Sequence, residues 1–135
     1  QIQHDAVPAV IAYWIDDLRA ARVTVGGRRV KVLRGSRLTA PIDGIYVIAG
    51  HVSWASGSGD RVIFLAVTAG VTFTRVAATS GAAYAAEAKQ TVSAVYKLNA
   101  GDYVELEAQQ TSGLTENIQK SDSSPSLEMT WVGPT

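Results

Sequence analysis

The chain has 135 residues, no cysteine, and twelve basic residues balanced by twelve acidic ones. That length suits one domain with one core. The missing cysteines exclude disulfides and thiolate chemistry, and zero net charge removes any bulk electrostatic case for nucleic acid or membrane binding.

Hydrophobic residues make up 47% of the chain and charged ones only 18%. That charge density is low for a small monomer, which points to surface covered by other chains. No apolar stretch approaches the roughly 18 residues of a membrane-spanning helix, so no membrane insertion is expected. No signal peptide is visible. The start at Gln1 fits a fragment or a processed form.

In chain order, Val7–Ile15 is a mostly apolar run, expected as a first strand buried on both faces. Arg22–Val25 and Arg29–Leu33 flank Gly26-Gly27, a two-residue hairpin signal. Leu38–Thr39 leads into "APIDG", a turn of Pro, Asp and Gly. Ile45–Trp54 is a long strand, and Ala55–Asp60 a loop. Arg61–Thr68 and Val71–Ala78 flank a second hairpin turn at Ala69-Gly70. Thr79–Lys89 reads as a loop or, as the less favoured alternative for an alanine-rich stretch, a short helical turn. Gln90–Leu98 and Tyr103–Gln110 flank "NAGD", a third turn. Thr111–Pro125 is a long polar loop, and Ser126–Val132 the final strand. Short strands with turn punctuation and almost no helical period predict an all-β sandwich or barrel. No repeat, linker or domain boundary is visible, so residues 1–135 form one domain. A last strand this near Thr135 is expected of a C-terminal domain.

Period-2 alternation assigns faces. After the third turn, Val104, Leu106 and Ala108 belong to the core; Tyr103, Glu105, Glu107 and Gln109 face out. In the central strand, Tyr46, Ile48, Gly50, Val52 and Trp54 share one face, and Ile45, Val47, Ala49 and His51 the other. Arg61–Thr68 likewise has two apolar faces, Val62, Phe64 and Ala66 opposite Ile63, Leu65 and Val67. A strand apolar on both faces needs a second cover, and a neighbouring subunit supplies one.

"LTAPIDGIYVIAGHVSW", then "SAVYKLNAGDYVELEAQ" and the closing "SLEMTWVG", resemble the C1q/TNF-like jelly roll. The resemblance spans Arg37 to Gly133; residues 1–36 match poorly, though the Gly26-Gly27 hairpin can serve as the opening strand pair. The Ala/Val/Arg/Gly-rich style and the "TWVG" ending are closer to bacterial and bacteriophage versions. The resemblance implies a two-sheet antiparallel jelly-roll sandwich that assembles as a homotrimer. It implies a non-catalytic structural and recognition role, with no cofactor. The expected setting is the surface of a bacteriophage virion, on a tail, fibre or capsid-surface protein. Expected partners are other virion proteins and a host-surface glycan or protein. The alternative is a secreted or surface bacterial adhesion domain.

Candidate residues follow. Tyr46, Ile48, His51, Tyr96, Tyr103, Glu105 and Glu107 are candidates for the trimer interface. A His51 triad with Asp43 or Asp60 has no nucleophile elbow to support it, and a packed or interface histidine is the preferred reading. Asp16-Asp17 point to opposite faces if extended, so a solvated turn is preferred over a metal site. Glu105 and Glu107 share a face without a visible pocket, which favours charge pairing over acid/base work. Arg19–Arg37 holds seven of the twelve bases and no acid. Arg28, Arg29, Lys31, Arg34 and Arg37 make it a basic patch, either for an anionic partner or, preferred, complementary to the acid-rich C-terminal half. Asn117, Gln119, Lys120 and Asp122 in the long polar loop are candidates for ligand contact. No calcium or zinc site is expected.

Overall fold

The computed structural model describes residues 3–7, 13–15, 18–35, 37–55, 59–82, 88–111, 116–121 and 124–135. The strands described are β1 (Gln3–Val7), β2 (Tyr13–Trp14), β3 (Leu18–Val25), β4 (Arg28–Gly35), β5 (Leu38–Thr39) and β6 (Gly44–Trp54). They continue as β7 (Asp60–Ala69), β8 (Thr72–Ala82), β9 (Ala88–Leu98), β10 (Tyr103–Gln110), β11 (Glu116–Lys120) and β12 (Ser126–Gly133). No helix occurs among the described residues.

Two sheets form the sandwich. The first holds β1, β11, β6, β12, β3, β4 and β9; the second holds β2, β10, β7, β8 and β5. β6 is the hub of the first sheet. β9 pairs along its whole length, and β12 and β11 share its other edge. All described pairs are antiparallel except one: β12 runs parallel to β3, from Ser126↔Ala20 to Trp131↔Val25.

The turns explain the strand limits. Gly26 and Gly27 both have positive φ, 60° and 75°, which the tight β3–β4 hairpin requires and glycine supplies without strain. The second hairpin turns at Gly70-Val71, one residue later than expected. Three further sequence expectations are corrected. Thr79–Lys89 is not wholly a loop: β8 runs on to Ala82 and β9 begins at Ala88. Val7–Ile15 is divided between the sheets: Val7, in β1, pairs with β11 in the first, and β2 (Tyr13–Trp14) pairs with β10 in the second. The polar stretch Thr111–Pro125 is not wholly a loop. β11 lies inside it, between β1 and β6, anchored by fully buried Ile118.

Core and outer faces follow the predicted alternation. Tyr46, Ile48, Val52 and Trp54 of β6 meet Ile63 and Leu65 of β7 and Val104, Leu106 and Ala108 of β10, all inaccessible to solvent. Gly50 lies close against the facing sheet: a Cβ there would sit 2.8 Å from Leu106 Cδ1. One end of the core carries a polar plug. Trp54 Nε1 donates to Gln90 Oε1 (2.8 Å), Gln90 Nε2 to the Arg61 carbonyl (3.0 Å), and buried Arg61 to the Ala55 carbonyl (2.8 Å).

The three motif pieces of the sequence converge at the other end. Gly101 N–H donates to Ala40 O (2.9 Å) and Ala40 N–H to Asp102 O (2.8 Å). Asp43 Oδ1 accepts from Ala100 N–H (2.7 Å), and Asp102 Oδ2 from Asn99 N–H (2.8 Å). Trp131 Nε1 donates to Asp43 O at 3.1 Å. Gly44 is required there, because a Cβ would collide with the Trp131 indole and lie 2.6 Å from Gly133 O. Asp102 therefore caps a turn, as its place after Gly101 (φ 95°) implied.

Candidate functional site

A sandwich offers its two outer faces and its ends, and the faces differ here. On the five-stranded sheet, β10 points Tyr103, Glu105 and Glu107 outward, and register places Glu105 beside Ala66 and Glu107 beside Phe64. Ala66 in turn pairs with Arg75 of β8. Arg75 reaches across: Nε and Nη2 donate to the two Glu107 carboxylate oxygens at 2.8 and 3.1 Å. Its guanidinium lies over the Phe64 ring, 4.5 Å from the centroid, and 5.9 Å from that of Phe73. Glu107 is 1% exposed. A second arginine extends the ladder. Arg37, just before β5, stacks 3.9 Å from the Tyr103 centroid and sits 3.9 Å from Glu105 Oε2.

The electrostatics follow. The Glu107 hydrogen bond raises the Arg75 pKa further above its ordinary value. Burial raises Glu105 above the usual carboxylate range; Arg37 opposes that shift and Glu107 adds to it. Glu105 and Glu107 are each matched to an arginine, so they form no acid/base pair around an open site.

The seven-stranded sheet is different. Its outer face includes a cross-strand row of Thr24, Thr130, Val47 and Val95 on β3, β12, β6 and β9. Val47 is 41% exposed, Val95 68%, and Val132 at the end of β12 56%. One ion pair is described on this face, Arg22 Nε to Glu128 Oε2 at 2.7 Å, with both side chains near half exposure. His51 lies 3.4 Å from Thr91 Oγ1 and 3.3 Å from Ser53 Oγ. Among the described residues no carboxylate hydrogen-bonds it. Burial, then the nearby Lys89 charge, lowers its pKa, so the imidazole is neutral at pH 7.

These placements change the sequence-derived list. Tyr46 and Ile48 cannot form a subunit interface: both point inward and are 0% exposed, with the Tyr46 hydroxyl donating to Ile42 O at 2.7 Å. They were candidates because the second face of their strand is apolar, but that face is Ile45, Val47 and Ala49. Tyr96 is half-buried against the core. His51 and the trio Tyr103, Glu105 and Glu107 lie on opposite faces, so the seven form no single patch. Glu107 is sealed beneath Arg75. Gln119 and Lys120 sit on β11 rather than on a loop, as does the backbone of Asn117; Asp122 lies outside the described residues, as do Asp16 and Asp17. The backbones of Arg28, Arg29, Lys31 and Arg34 run along β4, an edge strand. Arg22 and Arg37 of the basic stretch each pair with an acid of the C-terminal half, Glu128 and Glu105.

Arg75 and Phe64 were missed as a pair by sequence reasoning. The β7–β8 turn held the signal, since counting outward from it puts Arg75 beside Ala66 on the Phe64 face.

No protein-family model matches the chain, and no curated protein matches its sequence. The backbone does match solved structures, 182 chains in all, so the architecture is widespread and assigns a fold rather than a role. One is the crystal structure of murine APRIL at pH 5.0, with TM-score 0.52 and 13% sequence identity. The match covers 70% of this chain and 84% of that one. With its two sheets and all-β composition, the chain has a TNF-like jelly-roll fold.

Proposed function

We propose that this chain is a non-catalytic structural and recognition domain. It works as a homotrimer on the surface of a bacteriophage virion, on a tail, fibre or capsid-surface protein, and binds a host-surface glycan or protein. One observation carries the assembly: the bare β-branched strip of Val47, Val95 and Val132 on the seven-stranded sheet. Isolated exposed valines are ordinary, but Val47 and Val95 are directly paired neighbours on the outer face of that sheet. A ring of three subunits covers such a strip with a different surface of the next copy, which a cyclic trimer requires. The host-binding role and virion setting are drawn from the resemblance of residues 37–133 to the C1q/TNF-like jelly roll, and from the Ala/Val/Arg/Gly-rich style and "TWVG" ending, which are closer to bacterial and bacteriophage versions. Three copies raise the effective affinity of weak sites.

The test is the mass of the native chain by light scattering or native mass spectrometry. Three subunits are expected, and a single-subunit mass at micromolar concentration rejects the assembly. Binding to whole host cells tests recognition, and turnover of a glycan by the purified chain would overturn the non-catalytic reading.

A further inference from the structure

β8 and β9 each form one free edge of their sheet, since β8 pairs with β7 alone and β9 with β6 alone. They face each other along one side of the sandwich. At one point they are drawn together, where the Thr79 hydroxyl donates to Thr91 O at 2.8 Å. Further along they part and leave a cleft of about 210 Å³. Its apolar wall includes Val67 and Tyr96; Thr72, Thr74, Asn99 and Asp102 supply polar groups, with Lys97 beside them.

Each property of this cleft narrows the ligand. Drug-sized molecules occupy roughly 300–1,000 Å³, so the cleft holds one ring-sized group. A tyrosine beside a buried valine offers contact to an apolar C–H face. Two hydroxyls, an amide and a carboxylate offer donors and acceptors in several directions. Lys97 and Asp102 cancel in charge, which favours a neutral ligand. The polar wall is pre-set: Asp102 is held by the Asn99 N–H, and its turn is tied to Ala40 and Asp43, so little ordering is lost on binding.

We propose that the β8/β9 cleft binds one neutral pyranose residue of a glycan. Tyr96 meets the sugar's C–H face, and Asp102, Asn99 and Thr74 meet its hydroxyls. This inference rests on the recognition role proposed above and gives that role a location away from the polar stretch 111–125.

The test uses the intact chain and amide NMR shifts with glucose, galactose and N-acetylglucosamine as probes. Millimolar binding of at least one sugar is expected, with shifts confined to Thr72, Thr74, Tyr96, Asn99 and Asp102. Thr74→Tyr fills the cleft from an exposed position and abolishes those shifts, while the rest of the spectrum reports an intact fold. Asn99→Ala weakens binding roughly tenfold, the loss of one hydrogen bond. No shift with any of the three sugars overturns the proposal. So does unchanged affinity in Thr74→Tyr, or tighter binding of free alanine, a zwitterion matched to Lys97 and Asp102. Whole-cell binding separates this inference from the role beneath it. Equal cell binding by wild type and Thr74→Tyr overturns the cleft and leaves the recognition role standing. Sugar shifts in the cleft with no cell binding support the cleft and overturn the role.

Discussion

On the outer face of the five-stranded sheet, Phe64 lies under the Arg75 guanidinium and Ala66 is 1% exposed; on the outer face of the seven-stranded sheet, Val95 is 68% exposed beside Val47. The strands beneath are alike in sequence. Val62, Phe64 and Ala66 alternate outward on β7 much as Ile45, Val47 and Ala49 do on β6. They differ in their register neighbours. β7 lies between acids on β10 and an arginine on β8, and those charges close over it. On β6, Val47 lies between Thr130 and Val95, which are too short or too apolar to do so. A second apolar face therefore implies a second cover, but the cover can come from the chain itself. An arginine suits that task, because its guanidinium stacks on a ring while its N–H groups fork onto a carboxylate.

The largest expected effect breaks the contrast at the bare face. Val95→Glu buries an unpaired charge in any interface formed there, at a cost of about 3 kcal/mol or more per contact. Light scattering should show dissociation to single subunits with little change in the monomer's own stability. The same mass with and without the substitution would show that this face is not the interface.

Next is Arg75→Ala, which leaves the Glu107 carboxylate beneath the surface without its cation. A loss of about 2–3 kcal/mol in denaturant unfolding is expected, below the full range for a buried pair because water reaches Glu107 once the lid is gone. The double substitution Arg75→Leu/Glu107→Leu should recover most of it, since an apolar pair needs no desolvated charge.

Arg37→Ala should cost about 1 kcal/mol. It removes a half-exposed stack on Tyr103 and a long ion pair to Glu105. Arg22→Ala, on the opposite face, should cost under about 1 kcal/mol, because both partners of that pair are solvated.

The smallest effect concerns pH, and the two faces respond with opposite sign. Glu105 has a raised pKa, so the folded state binds its proton more readily than the unfolded state does. Its contribution falls as pH rises through the interval just above the ordinary carboxylate range. His51 has a lowered pKa, so stability falls as pH drops below the ordinary histidine range and the unfolded state protonates first. Unfolding curves of Glu105→Gln and His51→Gln against pH should each lose the matching slope. A slope kept in both variants would assign it to other groups.

Much of this fold was legible in the chain because its cues are local. Gly26-Gly27 and "NAGD" fixed two turns, and period-2 alternation placed Val104, Leu106 and Trp54 inward. The cues at Ala40, Gly44, Gly101 and Trp131 are local too, yet they are joined only in the folded chain, where Ala40 and Gly101 bond through their backbones, Trp131 holds the Asp43 carbonyl and Gly44 leaves room for its indole. Three features escaped for physical reasons. β11 offers one apolar residue, Ile118, in a polar run, which is too little for a period. β2 is two residues long. The cover over Phe64 depends on which strand lies beside which. The site was less legible than the fold: "NAGD" marks a turn and gives no sign that Asn99 and Asp102 line a cleft, which exists because two strand edges separate.

The parallel pairing of β3 with β12 sets a condition on how the domain is made. Ala20–Val25 and Ser126–Trp131 lie side by side although more than a hundred residues separate them in the chain. β3 can form its hairpin with β4 as soon as both have left the ribosome, but its other edge stays open until β12 emerges. Over that interval an edge of unpaired backbone N–H and C=O groups is exposed to pairing with other chains. Completion of the sandwich is therefore timed by synthesis of its last strand, and a transcript truncated before Ser126 yields a sheet with a gap at its centre rather than a shorter version of the same domain.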